Sequence, residues 1–311
     1  MRLYYTDHFH LPLPAGHRFP MDKYRRLRQR IASSAWHAGD VLVVPPAASP
    51  DQLGLCHSPA YVEAVFRGTL SVAEVRRIGF PWTPAMAERS RRSTGATLAA
   101  ARAALEDGVS VNLAGGTHHA FADAGEGYCV FNDAAVAIRT LQAERRIRRG
   151  CVIDLDVHQG NGTASILAGD DSAWTLSLHG VKNFPLRKVP GDLDISLPDG
   201  SDDEAYGDAL AAALECADAA GPFDLAIYLA GADPYEGDRL GRLALTKSGL
   251  ARRDAAVIRW CRERGIPLAI AMAGGYAPRV EDIVEIHAAT CRIASAAARQ
   301  SDPAAISAAI G

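Results

Sequence analysis

The sequence lacks a run of about 18 or more apolar residues, so no segment reads as a membrane-spanning helix. Its opening residues, MRLYYTDHFH, have neither the apolar stretch nor the small-residue cleavage site of a secretory leader. A cytoplasmic protein is expected. Neither sign of charge dominates: 33 Lys and Arg against 36 Asp and Glu leave a formal charge of −3, which offers no electrostatic case for nucleic acid or a membrane surface. The 6 cysteines (Cys56, Cys129, Cys151, Cys216, Cys261 and Cys291) have no CxxC spacing, so no zinc finger or disulfide framework is expected. Several sit in apolar segments, as reduced thiols of a cytosolic protein do. Repeats, low-complexity tracts and composition breaks are also missing. The basic runs YRRLRQR (24–30) and ERRIRRG (144–150) read as solvated helix surface, with one exception taken up below.

What is present is an apolar fraction of 48%, enough for a substantial core. Short apolar runs alternate with longer helical patterns. The runs are VLVV (41–44), VSVNLAG (109–115), CVIDLD (151–156), WTLSLH (174–179), DLAIYLAG (224–231) and PLAIAMAGG (267–275). Helices are expected between them, notably over 85–108 and 203–221. Such alternation predicts an α/β fold: a parallel central sheet flanked by helices, in one domain spanning 1–311.

In open α/β sheets, ligands gather beyond the carboxyl ends of the strands. Five of these runs end in chemistry: GGTHH (His118, His119), DLDVH (Asp154, Asp156, His158), SLH (Ser177, His179), GAD (Asp233) and GGY (Tyr276). In DLDVH the ionisable groups alternate, which places them on one face of an extended chain. Burying them is costly without compensation. A helix cap with a satisfied core histidine is one answer. A divalent cation is another, since carboxylate and imidazole suit zinc, iron, cobalt or nickel.

Asp156, His158 and Asp233 supply three ligands and would leave a position open for water and substrate. Two carboxylates neutralise such an ion, so its water would be less acidic than on three histidines, and a general base would help. His118 and His119 can provide one, oriented by Asp154 and Asn161. Tyr276 stands where a phenol could donate to a developing oxyanion, and Gly274 and Gly275 would let the chain turn to aim it. These parts fit metal-assisted hydrolysis of an amide or related acyl bond.

With these residues in hand, the chain resembles the zinc-dependent histone deacetylase superfamily, which includes acetoin utilization proteins and acetylpolyamine amidohydrolases. The likeness runs through GHRFPMDKY (16–24), HSPAYVEAV (57–65), GGTHHA (115–120), GYCVFNDAAVA (127–137), IDLDVHQGNGT (153–163), GADPYEGDRLGRLALT (231–246) and AGGYAP (273–278). The HQGNGT and RSTGAT segments look most like the class IV-type bacterial branch. The resemblance implies an arginase/deacetylase-like fold and a zinc ion on Asp156, His158 and Asp233. It implies Tyr276 polarising the scissile carbonyl, His119 as base and then acid, and Asp154 partnering His118. It further implies a monovalent cation, potassium, held by Asp154, Ser177 and the backbone of Asp156, His158 and Leu178. Gly127 and Tyr128 would form one wall of an acyl-lysine tunnel, Phe184 the other, and Gly274 and Gly275 would border the substrate. Arg25 would line an internal cavity for released acetate. The implied substrates are acylated lysine side chains of proteins, or acetylpolyamines and other acylated amines.

Two departures stand out. Asn161 occupies a position where many members carry aspartate, so His119 is expected to be less basic. No acidic loop residue for gripping a substrate backbone is evident; the candidate stretch 79–90 offers only Glu88, on an expected helix. An arginase-like ureohydrolase would need further bridging aspartates after a late strand, where LAGADPYEGD (229–238) has a single one at the strand end. A non-catalytic acyl-lysine binder would not need the complete set of ligands, histidines and Tyr276.

Overall fold

Eight short strands form where β-rich apolar runs meet polar or glycine-rich turns. In the computed structural model, which describes residues 1–299, they are β1 (Arg2–Tyr4), β2 (Val41–Val43), β3 (Val109–Asn112), β4 (Gly150–Asp154), β5 (Ala173–Gly180), β6 (Leu193–Leu197), β7 (Leu225–Leu229) and β8 (Leu268–Ala271). All pair in parallel, in the order β2-β1-β3-β8-β7-β4-β5-β6. The domain expected over 1–311 therefore has its last residues, 300–311, outside the described part.

A parallel sheet is covered on both faces, and its strands are apolar on both. On β7, Leu225, Ile227 and Leu229 enter one core, while Ala226 and Tyr228 enter the other. Helices Asp22–Ala32, Asp203–Ala220, Lys247–Glu263 and Val280–Arg299 cover the second of these faces, and Pro59–Arg67, Pro84–Asp107 and Asp133–Ala143 the first. The two expected helices begin at capped ends: Thr83 accepts from the Met86 N–H with Pro84 in the first turn, and Asp202 accepts from the Ala205 N–H.

The six expected runs all become strands; 174–179 lies wholly within β5, whereas the runs at 109–115, 151–156, 224–231 and 267–275 end in loops that carry the candidate site. Two strands, β1 and β6, were not anticipated. β1 has only three residues. β6 lies at the sheet edge, where its exposed alternate residues and flanking aspartates blunt strand-to-strand association and hide the apolar signal. Five cysteines are buried and Cys216 is exposed. No helix of the described residues is long and apolar enough to cross a membrane.

A buried ion pair ties the sheet to the loops beyond it. Arg253 and Asp254, each with 1% of its side chain exposed, sit on the helix Lys247–Glu263. Arg253 donates to Asp254 Oδ1 at 2.9 and 2.8 Å, and to the carbonyls of Leu155 (3.2 Å) and Gly231 (2.6 Å). The hydroxyls of Tyr228 and Thr290 complete the Asp254 carboxylate, each at 2.5 Å. Arg253 thus fastens the backbone directly ahead of Asp156 and close to Asp233. Replacing Asp254 with Ala leaves this guanidinium buried without its counter-ion, and unfolding free energy should fall by about 3–5 kcal/mol. Urea denaturation measures it; a loss below about 1 kcal/mol would mean the pair contributes no more than a surface one.

Candidate active site

The ends of β4 and β7, neighbours in the sheet, bring Asp156, His158 and Asp233 together. Their ligand atoms all lie within 4.8 Å of one another, and all three residues are buried. His158 Nδ1 is 2.8 Å from Asp156 Oδ1 and 3.2 Å from Asp233 Oδ2. Three backbone amides orient the carboxylates: Val157 N–H donates to Asp233 Oδ1 (3.0 Å), His158 N–H to Asp156 Oδ1 (2.9 Å) and Gly274 N–H to Asp156 Oδ2 (2.8 Å). Asp233 Oδ2 is buried without a hydrogen-bond donor of good geometry. Burial and the Asp156 charge push the Asp233 carboxyl up to about 7. Burial disfavours the His158 cation, yet the same two carboxylates outweigh it and push that pKa up to about 10. The cluster therefore attracts positive charge strongly, and its orphaned oxygen and O,N,O donor set fit a divalent cation.

Gly274 explains why the loop after β8 can close over this cluster. A Cβ there would stand 1.9 Å from Asp233 Oδ2 and 2.5 Å from Asp156 Oδ2, so only glycine fits. Gly275 follows, and the backbone N–H of Tyr276 donates to Asp238 Oδ2 at 2.6 Å. Lys23, buried from the opposite side, donates to the carbonyls of Ala273 (3.3 Å) and Gly275 (3.4 Å). Its ammonium lies 5.5 Å from the Tyr276 ring centre. Burial, then the Asp156 and Asp233 charges, raise the phenol pKa well above its ordinary value, so Tyr276 remains an O–H donor.

The two histidines sit side by side, ring centres 4.1 Å apart, but in opposite electrostatic settings. His118 Nδ1 is 2.6 Å from Asp154 Oδ2. Burial disfavours its cation, and Asp154 with Asp156 overcomes that, pushing the pKa up to about 9. His119 is held well below the ordinary value by burial and by the positive charge on its neighbours. The surroundings thus favour the cation at His118 and the neutral imidazole at His119.

His119 Nδ1 lies 2.7 Å from Asn161 Oδ1. Asn161 Nδ2 donates in turn to Glu126 Oε2 at 3.2 Å, which fixes the amide with its oxygen toward the imidazole. Since that oxygen can only accept, His119 carries its proton on Nδ1 and presents a bare Nε2. Glu126 was not anticipated from sequence. It supplies a physical reason for asparagine at 161, where an aspartate would stand against another carboxylate.

Above these groups opens a mouth of about 610 Å³ bordered by Tyr128, Phe184, Leu240, His119, His158 and Tyr276. Phe184 meets the His119 ring edge to face, with centres 4.8 Å apart at 89°. Gly127 faces them, at φ 55; a Cβ there would come within 2.7 Å of His119 Cδ2. Tyr128 adopts a left-handed φ of 68, rare outside glycine and a mark of functional loops. Its ring packs on Phe19 and Phe80, both at 5.2 Å. Gly127, Tyr128 and Phe184 thus all line this mouth.

A second, small cavity of about 40 Å³ lies among the site's own groups, lined by His118, His119, Asp156, His158 and Tyr276 together with Tyr24, Arg89 and Ser93. Arg25, expected here, is elsewhere: its side chain is 55% exposed and paired with Asp22 on the outer face of its helix. The buried stripe of that helix is Lys23, Tyr24, Leu27 and Ile31, and Arg25 falls off it. The buried cation lining the cavity is Arg89, over the Tyr24 ring at 4.8 Å. Glu88 is likewise remote, paired with Arg91 and Arg92 along its own helix. Asp154 and Ser177 border a separate small void behind β4, while Ser177 Oγ is 2.9 Å from His179 Nδ1; Leu178 is buried on β5 beside them.

Residues 17–291 match the model of the histone deacetylase domain. The chain belongs to the histone deacetylase family. It is 41% identical to an uncharacterized protein of Picosynechococcus sp., covering 94% of this chain and 97% of that one. It is 31% identical to histone deacetylase 2 of Arabidopsis thaliana (84% of this chain, 70% of the relative) and 31% identical to a histone deacetylase-like amidohydrolase of Pseudomonas aeruginosa (85% and 74%). The crystal structure of the HDA15 HD domain superposes with a TM-score of 0.80 at 20% identity, covering 100% of this chain and 94% of that one. The arginase/deacetylase-like fold expected from sequence is the fold observed.

Asn161→Asp would place a carboxylate beside His119 and stabilise its protonated form. Its pKa should rise, so the acidic limb of kcat/KM against pH should move to higher pH. Thermal stability should fall because the new carboxylate faces Glu126, and adding Glu126→Gln should restore the stability while keeping most of the pH shift. A limb that stays or moves to lower pH would remove His119 as the base, or Asn161 as its partner.

Proposed function

We propose that this histone deacetylase-family hydrolase is a zinc-dependent deacylase acting on the amide of acyl-lysine side chains in proteins. The observation that carries the reading is the joint placement, at one sheet edge, of the Asp156–His158–Asp233 cluster, the His118–His119 pair and Tyr276, with His119, His158 and Tyr276 lining the mouth. Asp156, His158 and Asp233 would hold the ion. When bound, it would supply a Lewis acid and a water acidified toward neutral pH.

The chain's own groups account for the rest. Gly127, Tyr128 and Phe184 hold the extended lysine stem and exclude water around it. Tyr276 donates its O–H to the carbonyl oxygen of the acyl group, a bond that strengthens as that oxygen becomes anionic. His119 Nε2 takes a proton from the attacking water and returns it to the departing amine. His118, anchored by Asp154, is favoured as the cation, and its charge would oppose protonation of His119. Asp154 and Ser177 would take part in holding potassium behind this machinery. The buried, reduced cysteines suit a cytoplasmic enzyme. The same machinery would hydrolyse an acylated small amine, so purified enzyme should be profiled against acyl-lysines of increasing chain length and acetylpolyamines.

Asp156→Ala and Asp233→Ala should each lose activity, with bound zinc falling from about one per chain to a small fraction by elemental analysis. Tyr276→Phe should keep its metal and lose roughly 100- to 1,000-fold in turnover, with substrate affinity changed far less. Full turnover in the phenylalanine variant would reduce Tyr276 to a packing residue. Turnover surviving loss of metal would end the zinc reading.

A further inference from the structure

The chain as a whole is slightly acidic, with a formal charge of −3, but the mouth of its site is not. Four cations line it: Arg76 and Arg77 at the end of the helix Val72–Ile78, Lys182 in the loop after β5, and Arg242 in the loop after β7. One carboxylate, Glu126, faces them, and it is engaged by Arg77 at 3.5 Å and by Asn161 at 3.2 Å. Lys182 and Arg242 share a single partner, Asp199, at 3.5 and 3.3 Å, which lies outside the mouth. Arg76 is exposed and has no ion-pair partner among the described residues. Arg18 adds a further exposed cation near enough to Tyr128 to act on its phenol. The cations come from one helix end and two separate loops, so their excess at the mouth is local and not a reflection of overall composition.

We propose that this rim selects acyl-lysine side chains flanked by acidic residues in a polypeptide, and disfavours basic tails and acetylated polyamines. The proposal rests on the deacylase reading above. On that reading the acylated side chain would enter between Phe184 and Tyr128, with its carbonyl toward Tyr276 and His158. The rim is therefore met by what stands on either side of the acylated residue. Glutamate or aspartate there would pair with Arg76, Lys182 and Arg242. A second ammonium, as in a polyamine or a lysine-rich segment, would meet like charge. Exposed pairs are individually weak and salt-sensitive, so the selection should be a cumulative, screenable preference and not an absolute one.

The test uses the full-length, zinc-loaded chain carrying Tyr276→Phe, which slows turnover so that binding can be read by fluorescence anisotropy. Labelled peptides carry one acetyl-lysine between glutamates, between serines or between lysines, each with an unacetylated control. The glutamate-flanked peptide should bind about tenfold more tightly than the lysine-flanked one at low salt, the scale expected of two or three exposed pairs, with the gap closing as salt rises. Arg76→Glu combined with Lys182→Glu should reverse the order, and Arg76→Gln alone should shrink the gap. In wild type, kcat/KM should follow the same order, carried by KM more than by kcat.

Equal binding of all three acetylated peptides overturns the rim proposal and leaves the deacylase reading intact. Tighter binding of an acetylated polyamine, or of a short oligonucleotide used as competitor, also overturns the rim proposal, the former pointing to a small-amine substrate for the same machinery. Binding that is the same with and without the acetyl group overturns both, because the passage would then not be reading the acyl-lysine at all.

Discussion

Two carboxylates, Asp156 and Asp233, are buried side by side at the ends of adjacent strands, and much of the surrounding structure answers that constraint. Like charges in such a place are expensive unless donors or a cation compensate them. The loop glycine at 274 exists to bring one amide onto Asp156, and Val157 and His158 contribute theirs. Arg253, Asp254 and the two hydroxyls on Asp254 clamp the carbonyls that precede the carboxylates. Lys23 and Asp238 hold the Tyr276 loop from two sides. Together these contacts fix the carboxylates and the Tyr276 loop from several sides.

The same constraint separates the two histidines. Asp154 supports the His118 cation; Asn161, being neutral, leaves His119 without such support. The pKa values of the adjacent imidazoles are thereby pushed in opposite directions, His118 up and His119 down. Glu126 sits one hydrogen bond further out, so the basicity of His119 is linked through Asn161 to the edge of the mouth.

Much of this was legible in the chain because the parallel sheet compresses function into strand ends. The run-ending DLDVH, GGTHH, GAD and GGY motifs declare the edge where they meet, although β4 stops at Asp154, so the strand alternation expected to put Asp154, Asp156 and His158 on one face does not continue through the last two. What was not legible depends on helical phase or on loops. Arg25 and Lys23 are two residues apart in a basic run, yet 100° per residue sends one to solvent and the other under Tyr276; the Leu27–Ile31 stripe, extended backwards, would have chosen Lys23. Glu126 and Asp238 lie in irregular loops, where no period predicts direction. β1 was too short to register, and β6, alternating and polar-flanked at an edge, does not look like the buried strands beside it.

The distribution of cysteine has a practical consequence. Five thiols are enclosed in the two cores or beside the passage, while Cys216 stands exposed on the helix Asp203–Ala220, which packs over β5 and β6. Burial pushes Cys56, Cys129, Cys151, Cys261 and Cys291 toward the neutral thiol, the form that alkylating reagents ignore. A maleimide dye or spin label added to the folded protein would therefore attach at one place without any cysteine having first been removed, and a reporter of rotation or distance could be installed on the native sequence.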